Sequence, residues 1–351
     1  MKALFLSAMD VWLFRDGRPF NANGDHRAES LFPPHPSVIQ GALRSYYLSL
    51  DKSLQYENAD AVIKRVGTAQ QGPDGFSLRG PYLARRENDY LIRYYPQPAD
   101  AVSVPGARHT IRSAAVPQGQ PDGLRTNSPT PDLLGLADPL EKGETGLWLS
   151  EKALDAYLRG QTVQGVPAGD LFQRQAYPGI GLQNDHRVTK DGALFEVEYI
   201  RPGDDVGLYV EMDGWDDWPE QGALQLGGEH RAASFTTVKP LPWPTPPTPL
   251  PPKFKVYFAT PAYFEAGWIP NNWEDFFDGK VELIAAAVGR YDWLGGYDYA
   301  AQIHKPARRY VPAGSVYYFK TSGASWRKDR PFAMTQDGQQ FGYGQILIKG
   351  W

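Results

Sequence analysis

The sequence predicts an α+β fold built from two ferredoxin-like units, the type of unit found in RNA-recognition motifs. Strand-like segments are mixed with one or two helices in each half of the 351 residues, which is typical of such units. The halves are separated by residues 240–252, PLPWPTPPTPLPP, which have the composition of an extended polyproline spacer. We therefore predict one domain over 1–239, with long loop insertions, and a second over 253–351.

The first segment, residues 2–14, is rich in apolar side chains and predicts a buried strand with a break near Asp10. The loop that follows contains glycine turns and three arginines, Arg15, Arg18 and Arg27. Glycine lets a phosphate approach backbone N–H groups, and arginine binds phosphate with two parallel hydrogen bonds. These arginines are therefore candidate RNA-binding residues.

A helix is predicted to begin at Ser37. Three prolines at 33, 34 and 36 preclude an earlier start, and Ser37 followed by Gln40 has the spacing of a capping box. Apolar residues then recur every three or four positions and predict a face that packs on a sheet, namely Val38, Ile39, Ala42, Leu43, Tyr46, Tyr47 and Leu50. This pattern leaves Gln40, Arg44 and Ser45 facing outward.

The first turn of this helix has features of an anion site. Gly41 costs about 1 kcal/mol relative to alanine inside a helix, which suggests that another backbone or a ligand comes close. Free N–H groups at the helix N-terminus, with Arg44 further along, predict a seat for a phosphate. An ordinary core helix with one solvated arginine is the alternative that these residues leave open.

The remaining pattern is mostly β. Helices are predicted over 60–66 and 151–158, and an irregular insertion over 96–143. The apolar run 281–287 is ambiguous in type. The predicted strands cover 82–84 paired with 90–95, then 146–149, 194–199, 206–212, 223–226, 253–260, 315–320 and 345–348.

A β-hairpin with a basic tip is predicted within residues 177–201. Its second strand follows the turn Lys190-Asp191-Gly192, and His186 and Arg187 lie on the incoming arm. Basic residues also lie beside glycine or aromatic residues at His230 and Arg231 and at Arg308 and Arg309. An unpaired base can stack on such aromatics, so these clusters favour RNA binding. Each cluster taken alone is more typical of a solvated surface.

Composition limits the classes of function. The formal net charge is −4, which argues against a free-standing nucleic-acid binder unless an acidic face meets a protein partner. Cysteine is absent, which excludes disulfides and thiolate chemistry and fits a cytoplasmic protein. No apolar run is long enough for a membrane span, so we expect no membrane association.

No motif predicts an enzyme, a metal or a cofactor. The sequence has no Walker A loop, HExxH, GxSxG or EF-hand loop. Its six histidines are scattered singly, yet His26 or His186 could serve as the acid or base of a metal-independent ribonuclease. A carbohydrate-active enzyme that uses the ten tryptophans is a further alternative, although no carboxylate pair has a suitable context.

Six motifs, taken together and in order, resemble a known family. They are MDVWLFRDGRPF, FPPHPSVIQGALR, GIGLQNDHRVTKDGALFEVEYIRPG, LGGEHR, VPAGSVYYFK and the terminal GYGQILIKGW. The set is similar to the family of third subunits of the Cmr complex, the type III-B CRISPR effector, in the Cas-five-like group of the RAMP superfamily. The similarity extends over nearly the whole chain, although 96–143 and the proline spacer contribute little.

The resemblance implies a non-catalytic scaffold of two ferredoxin-like domains. Such subunits hold the 5′ tag of the CRISPR RNA and contact the large polymerase-like subunit and a backbone subunit. Relatives carry a β-hairpin thumb, which the resemblance assigns to 188–199 with 180–187, from Ile180 onward, leading in. It also implies that Gln40 and Arg44 approach the tag and that Gly342 and Gly344 form the glycine-rich loop of the superfamily.

Overall fold

Strands predominate in this protein. The computed structural model describes residues 1–15, 27–54, 58–68, 71–88, 90–113, 115–120, 123, 126, 128–136, 144–182, 189–298, 303–329 and 331–351. Over these ranges it contains three α-helices, which are α1 (Pro36–Ser49), α2 (Ala59–Val66) and α3 (Glu151–Leu158). No helix in the described ranges is long and apolar enough to cross a membrane.

The strands before residue 205 are β1 (Lys2–Ala8), β2 (Arg27–Ala28), β3 (Ser77–Glu87), β4 (Tyr90–Pro96), β5 (Ala101–Ser103), β6 (Thr110–Ser113), β7 (Ala115–Gly119), β8 (Asp132–Leu136), β9 (Leu147–Ser150), β10 (Val163–Gln164), β11 (Val166–Pro167), β12 (Phe172–Leu182) and β13 (Thr189–Pro202). Those after it are β14 (Val206–Asp213), β15 (Gln221–Gln225), β16 (Ala232–Val238), β17 (Lys253–Phe258), β18 (Phe277–Asp278), β19 (Val281–Ala287), β20 (Asp292–Asp298), β21 (Ile303–Tyr310), β22 (Val316–Thr321), β23 (Ser325–Trp326) and β24 (Ile346–Gly350).

The chain forms two compact units that alternate along the sequence. The first unit comprises 1–88, 169–240 and 293–308, and the second comprises 89–168, 241–292 and 309–351. The predicted domains 1–239 and 253–351 are a different kind of division, because they are stretches of chain expected to fold independently. That division stays a prediction.

In the first unit, five antiparallel strands are neighbours in the order β3-β14-β1-β16-β15. The central strand β1 pairs with β14 on one side and β16 on the other, and its residues 3–6 are all buried, so both faces of the sheet are covered there. Helix α1 packs against β3 and β15. Its buried row, Pro36, Ile39, Gln40, Leu43 and Tyr47, has the spacing of one helix face.

Aromatic side chains complete this core. The ring of Tyr47 stacks on Trp215 at 4.6 Å between centroids, and Trp215 stacks on Trp218 at 5.8 Å. Tyr46 contacts both Trp218 and Phe235. The two tryptophans lie in the connection between β14 and β15, so a loop rather than a helix packs beside α1.

The second unit contains a four-stranded antiparallel sheet in the order β19-β22-β17-β24. Its buried face carries Phe254 and Phe258 of β17 and Tyr317 and Phe319 of β22. Residues from the connecting loops pack on this face, with Trp273 meeting Phe319 edge-on at 4.9 Å.

A buried carboxylate links three elements of the second unit. Asp100 is only 3% exposed and accepts hydrogen bonds from the hydroxyls of Tyr157 (2.8 Å) and Tyr318. The burial of these tyrosines, together with the charge of Asp100, raises the pKa of both hydroxyls. Lys255 is buried nearby over the Tyr157 ring, 5.1 Å from its centroid, and burial lowers the pKa of its ammonium.

The start of the proline-rich segment is anchored to a buried arginine. Arg93 of β4 has no exposed surface and forms two hydrogen bonds to the carboxylate of Glu151, at 3.0 and 2.7 Å. Its guanidinium also donates to the carbonyl of Pro242 and lies 5.1 Å from the ring centroid of Trp243. We refer to residues 241–252 as the strap.

The prediction that 96–143 is irregular is wrong, because this segment contains β5, β6, β7 and β8. Each of these strands has five residues or fewer and pairs locally, so none is long enough to show a period. The ambiguous run 281–287 is strand β19. The predicted helices 60–66 and 151–158 are confirmed to within one residue.

We predict that Tyr157→Phe destabilises the second unit by about 1.5–3 kcal/mol, the usual cost of losing a hydrogen bond to a buried charged group. Urea unfolding followed by fluorescence measures this as a lower transition midpoint. The matched control is Tyr90→Phe, since Tyr90 is 76% exposed and should change stability by less than about 0.5 kcal/mol. Equal midpoints for the two variants would contradict the role assigned to Asp100.

Candidate nucleic-acid interface

The predicted hairpin is present as a long antiparallel ribbon. Strands β12 and β13 pair from Phe172↔Pro202 to Leu182↔Thr189, which corresponds to about 35 Å at 3.3 Å per residue. The prediction of a turn at Lys190-Asp191-Gly192 is wrong, because β13 begins at Thr189 and the connection lies before it. We call this ribbon the first ribbon.

Several predicted residues lie outside the described residues. They are Arg18, His26, His186 and Arg187. The predicted roles of Arg18, His186 and Arg187 in RNA binding, and of His26 or His186 in catalysis, therefore stay predictions. Lys190 lies in β13, two positions after the gap.

One face of the first ribbon is fixed at its root by a buried carboxylate. The carboxylate of Glu198 forms salt bridges with Arg174 Nη1 at 2.5 Å and with Arg27 Nη2 at 3.4 Å. It also accepts a hydrogen bond from the backbone N–H of Ser30 at 3.3 Å. Arg27 also pairs with Glu196 at 3.2 Å, and its strand β2 runs parallel to β13. Arg27, a predicted RNA-binding residue, is half exposed and paired with two carboxylates.

The opposite face of the root contains a second charged cluster. Asp10 pairs with Arg201 and Arg231, each at 3.2 Å. The guanidinium of Arg231 lies 4.8 Å from the ring centroid of Tyr199, whose hydroxyl donates to Glu229. Burial and the Glu229 carboxylate raise the pKa of Tyr199. Arg231, also a predicted RNA-binding residue, is thus part of an ion-pair network.

The loop before Arg231 has an unusual backbone. Glu229 and His230 both have positive φ, 53° and 56°, and His230 is exposed. Gly227, with φ 98°, allows the chain to pass the carbonyl of Leu13, which a Cβ would approach to 2.7 Å. The glycine pair therefore fixes this loop against the segment after β1, and it presents His230 to solvent.

The outer part of the first ribbon exposes apolar side chains. Ile180 and Leu194 are paired across the two strands and are 51% and 63% exposed. Paired residues lie on the same face, so together they form one apolar patch. Tyr177, three residues from Ile180, is half exposed on the other face. Sequence reasoning found Ile180 and missed Leu194 and Tyr177, because a strand pattern alone does not show which face lacks a neighbour.

Helix α1 differs from its prediction at three points. It begins at Pro36, with His35 at the N-cap and no side-chain cap, so the capping box at Ser37 is wrong. Gln40 is buried rather than outward, because it lies between Pro36 and Leu43 on the buried row. Arg44 is partly buried, and its Nε donates to the carbonyl of Val66 at 2.7 Å.

The approach of another group to Gly41 is also not observed. A Cβ at this exposed position would meet no described atom within 4 Å. None of the described residues therefore packs closely on Gly41, while the Gln40 side chain is in the core.

The C-terminal glycine loop is buried. Gly338, Gly342 and Gly344 have φ of 71°, 95° and 67°, a region that favours glycine. A Cβ on Gly344 would lie 2.6 Å from Cβ of Thr335, and the carbonyl of Gly342 accepts from Thr260 at 2.7 Å. These contacts give Gly342 and Gly344 a structural reason to be glycine. Their predicted contact with RNA stays a prediction.

The remaining predicted arginines are exposed. Arg15 lies at a backbone bridge to Ser30. Arg308 and Arg309 lie on β21, which forms a two-stranded ribbon with β20. The sequence analysis did not predict this second ribbon, although Gly295-Gly296 beside aromatic residues is a recognisable signal. Arg309 lies over the ring of Tyr291, with Cζ 4.9 Å from the centroid.

The chain is similar to known proteins over almost its whole length. The family model described as CRISPR-associated protein (Cas_Cmr3) matches residues 4–351. No curated protein sequence matches the chain.

Among solved structures, a chain of the cryo-EM structure of the Type III-B Cmr-beta bound to cognate target RNA and AMPPnP, state 1, is similar with a TM-score of 0.51 and 13% identity. The match covers 90% of this chain and 86% of that one. A chain of the Type III-B Cmr-beta bound to cognate target RNA has a TM-score of 0.49 and 15% identity over the same shares. At such identities the first similarity is evidence of the fold alone.

His35 at the start of α1 predicts a pH dependence of stability. Burial lowers the pKa of its imidazole to about 4, against about 6.5 in an unfolded chain. Between these values the unfolded state binds a proton that the folded state does not, so stability falls as the pH falls. The loss attributable to His35 should total about 3 kcal/mol between pH 7 and pH 4.

The measurement is urea unfolding of the parent and of His35→Asn at pH 7, 5.5 and 4. The parent should lose about 3 kcal/mol more than the variant. Asp292, whose pKa burial raises to about 6, acts in the opposite direction but equally in both proteins. Parallel pH profiles would show that His35 is not buried as described.

Proposed function

The chain belongs to the Cas_Cmr3 family of CRISPR-associated proteins, and from this membership we propose that it is an RNA-binding scaffold subunit of a type III-B CRISPR effector. In this role it holds the 5′ tag of the CRISPR RNA and contacts the large polymerase-like subunit and a backbone subunit. It performs no catalysis itself. The observation that carries the proposal is the first ribbon, which is fixed at its root and apolar at its exposed end.

The fold proposed for this function is a pair of ferredoxin-like units. In the first unit the strands β1, β3, β14 and β16, numbered one to four in chain order, lie side by side as two-three-one-four. In the second unit β17, β19, β22 and β24 lie in the same order, again antiparallel. This shared order, and the TM-score of 0.51 over 90% of the chain, support the proposal.

The first ribbon acts as the thumb. Glu198 with Arg27 and Arg174 on one face, and Asp10 with Arg201 and Arg231 on the other, hold its root against the first unit. A ribbon fixed in this way can present Ile180 and Leu194 as a rigid apolar wedge. An apolar side chain that inserts between bases keeps them unstacked, which suits the recognition of a single-stranded tag.

The phosphates of the tag are bound mainly by exposed basic groups. Arg15 and His230 are exposed on the first unit, and Arg27 and Arg231 lie beside carboxylates with which they share their charge. An acidic protein with such a surface binds RNA best when partner subunits add basic residues. This fits a subunit that acts within an assembly.

Copurification from the native host tests the proposed assembly. The tagged full chain should bring down CRISPR RNAs with a uniform 5′ end, together with a large polymerase-like protein. Repeat RNA incubated with the purified chain, without divalent metal, should remain intact. Recovery of neither partner from folded protein, or cleavage of the repeat RNA, would overturn the scaffold role.

We predict that Ile180→Ser with Leu194→Ser weakens binding of a tag oligonucleotide by about 10- to 150-fold, because about 1.5–3 kcal/mol of apolar burial against the bases is lost. Both side chains are more than half exposed, so the fold should be preserved. Fluorescence anisotropy with a labelled tag RNA measures the affinity. The control is Ile63→Ser on α2, an isoleucine 46% exposed and away from the ribbon; equal effects of the two changes would remove the thumb from the proposal.

A further inference from the structure

The second unit contains a cleft that the thumb does not use. Its volume is about 340 Å³, near the lower end of the range for small-molecule sites. The residues that line it include Ser128, Thr130, Asp132, Trp268 and Tyr291.

Two aromatic residues border the cleft, one partly buried and one exposed. Trp268 is partly buried, its ring meets that of Tyr317 edge-on at 5.9 Å, and its carbonyl accepts from the Tyr317 hydroxyl. It is therefore a fixed wall. Tyr291 is 47% exposed, with Arg309 over its ring. An exposed tyrosine next to an arginine is typical of surfaces on which a nucleobase stacks beside a bound phosphate.

The polar groups of the cleft are arranged by local hydrogen bonds. The hydroxyls of Ser128 and Thr130 are 2.8 Å apart, and Thr130 donates to the carbonyl of Asp132 at 3.1 Å. Asp132 lines the same cleft. A carboxylate accepts hydrogen bonds from amino, imino or sugar hydroxyl groups, and it repels a phosphate. The phosphate of a bound nucleotide would therefore lie at the mouth of the cleft, near Arg309.

We propose that this cleft binds one unstacked nucleotide of single-stranded RNA. The base lies between Trp268 and Tyr291, base or sugar N–H and O–H groups donate to Asp132, and Arg309 binds the adjoining phosphate. Arg309 beside the ring of Tyr291, together with the lining residues Ser128 and Asp132, matches the phosphate and the base or sugar of a nucleotide. This inference rests on the proposed function, since it adds a second RNA contact to the thumb.

The test uses the full chain and two fluorescein-labelled probes, an eight-nucleotide oligo-U and an eight-nucleotide oligo-A, at several salt concentrations. Tyr291→Ala should weaken binding by about 5- to 150-fold through the loss of stacking. Arg309→Ala should weaken binding and reduce the slope of log affinity against log salt by about 0.7, the effect of one phosphate. The matched control is Tyr90→Ala, since Tyr90 is exposed in the same unit and does not line the cleft.

Photo-crosslinking locates the contact independently of affinity. Oligo-U containing 4-thiouridine should form adducts on the peptides that carry Trp268 or Tyr291, and Tyr291→Ala should reduce them. If the Tyr291 and Arg309 variants bind like the parent and no adduct forms there, the cleft inference is overturned. Weakened binding of the Ile180/Leu194 variant in the same assay would then leave the proposed function standing.

The two failures are distinguishable. If the parent binds neither probe and copurifies with no RNA, the proposed function fails and the cleft inference fails with it. If p-benzoylphenylalanine placed at position 291 of the full chain in the purified complex crosslinks to another protein subunit instead of RNA, the cleft is a protein contact and the nucleotide assignment is wrong.

Discussion

The main sheet of each unit has a face that must be covered, and aromatic side chains supply part of that cover. Helix α1 is the one long helix among the described residues, and loops that carry Trp215, Trp218 and Trp273 occupy the remaining space. A single aromatic side chain buries about 150–250 Å², which corresponds to about 4–6 kcal/mol of apolar burial. A short loop with two such rings can therefore replace a helix. This explains how a strand-rich chain with 31 prolines sustains two cores.

The sequence was sufficient to predict elements with a strong local signal. Strand β17, helix α3 and the first ribbon lie close to their predicted positions, because their apolar periods are uninterrupted. The start of α1 was not predictable, since proline at its first position and His35 at the N-cap compete with the capping pattern of Ser37. The short strands β5 to β8 were missed because pairing between neighbouring strands, rather than sequence period, forms them.

The candidate site was predictable as a set of residue types but not as a charge distribution. Arg27 pairs with Glu198 across 171 positions, and Arg231 pairs with Asp10 across 221. Such partners are invisible to any local pattern, so sequence reasoning counted these arginines as available. Conversely, Leu194 was predicted only as part of a strand, whereas within the described part of the chain its side chain is 63% exposed on the ribbon. The fold therefore shifts the site from cations toward exposed apolar and aromatic groups.

The strap bears on whether this protein can be divided. A proline-rich stretch usually marks a place where a chain can be cut, yet here Pro242 and Trp243 surround the buried guanidinium of Arg93. A fragment that began after the strap would lose these groups together with Arg93 and Glu151, which lie far upstream. Moreover, both compact units are assembled from three separate stretches of chain, so no single cut yields either unit whole. Halves prepared at the apparent linker would each lack stretches that belong to their compact unit, so the full chain is the better starting point for binding experiments.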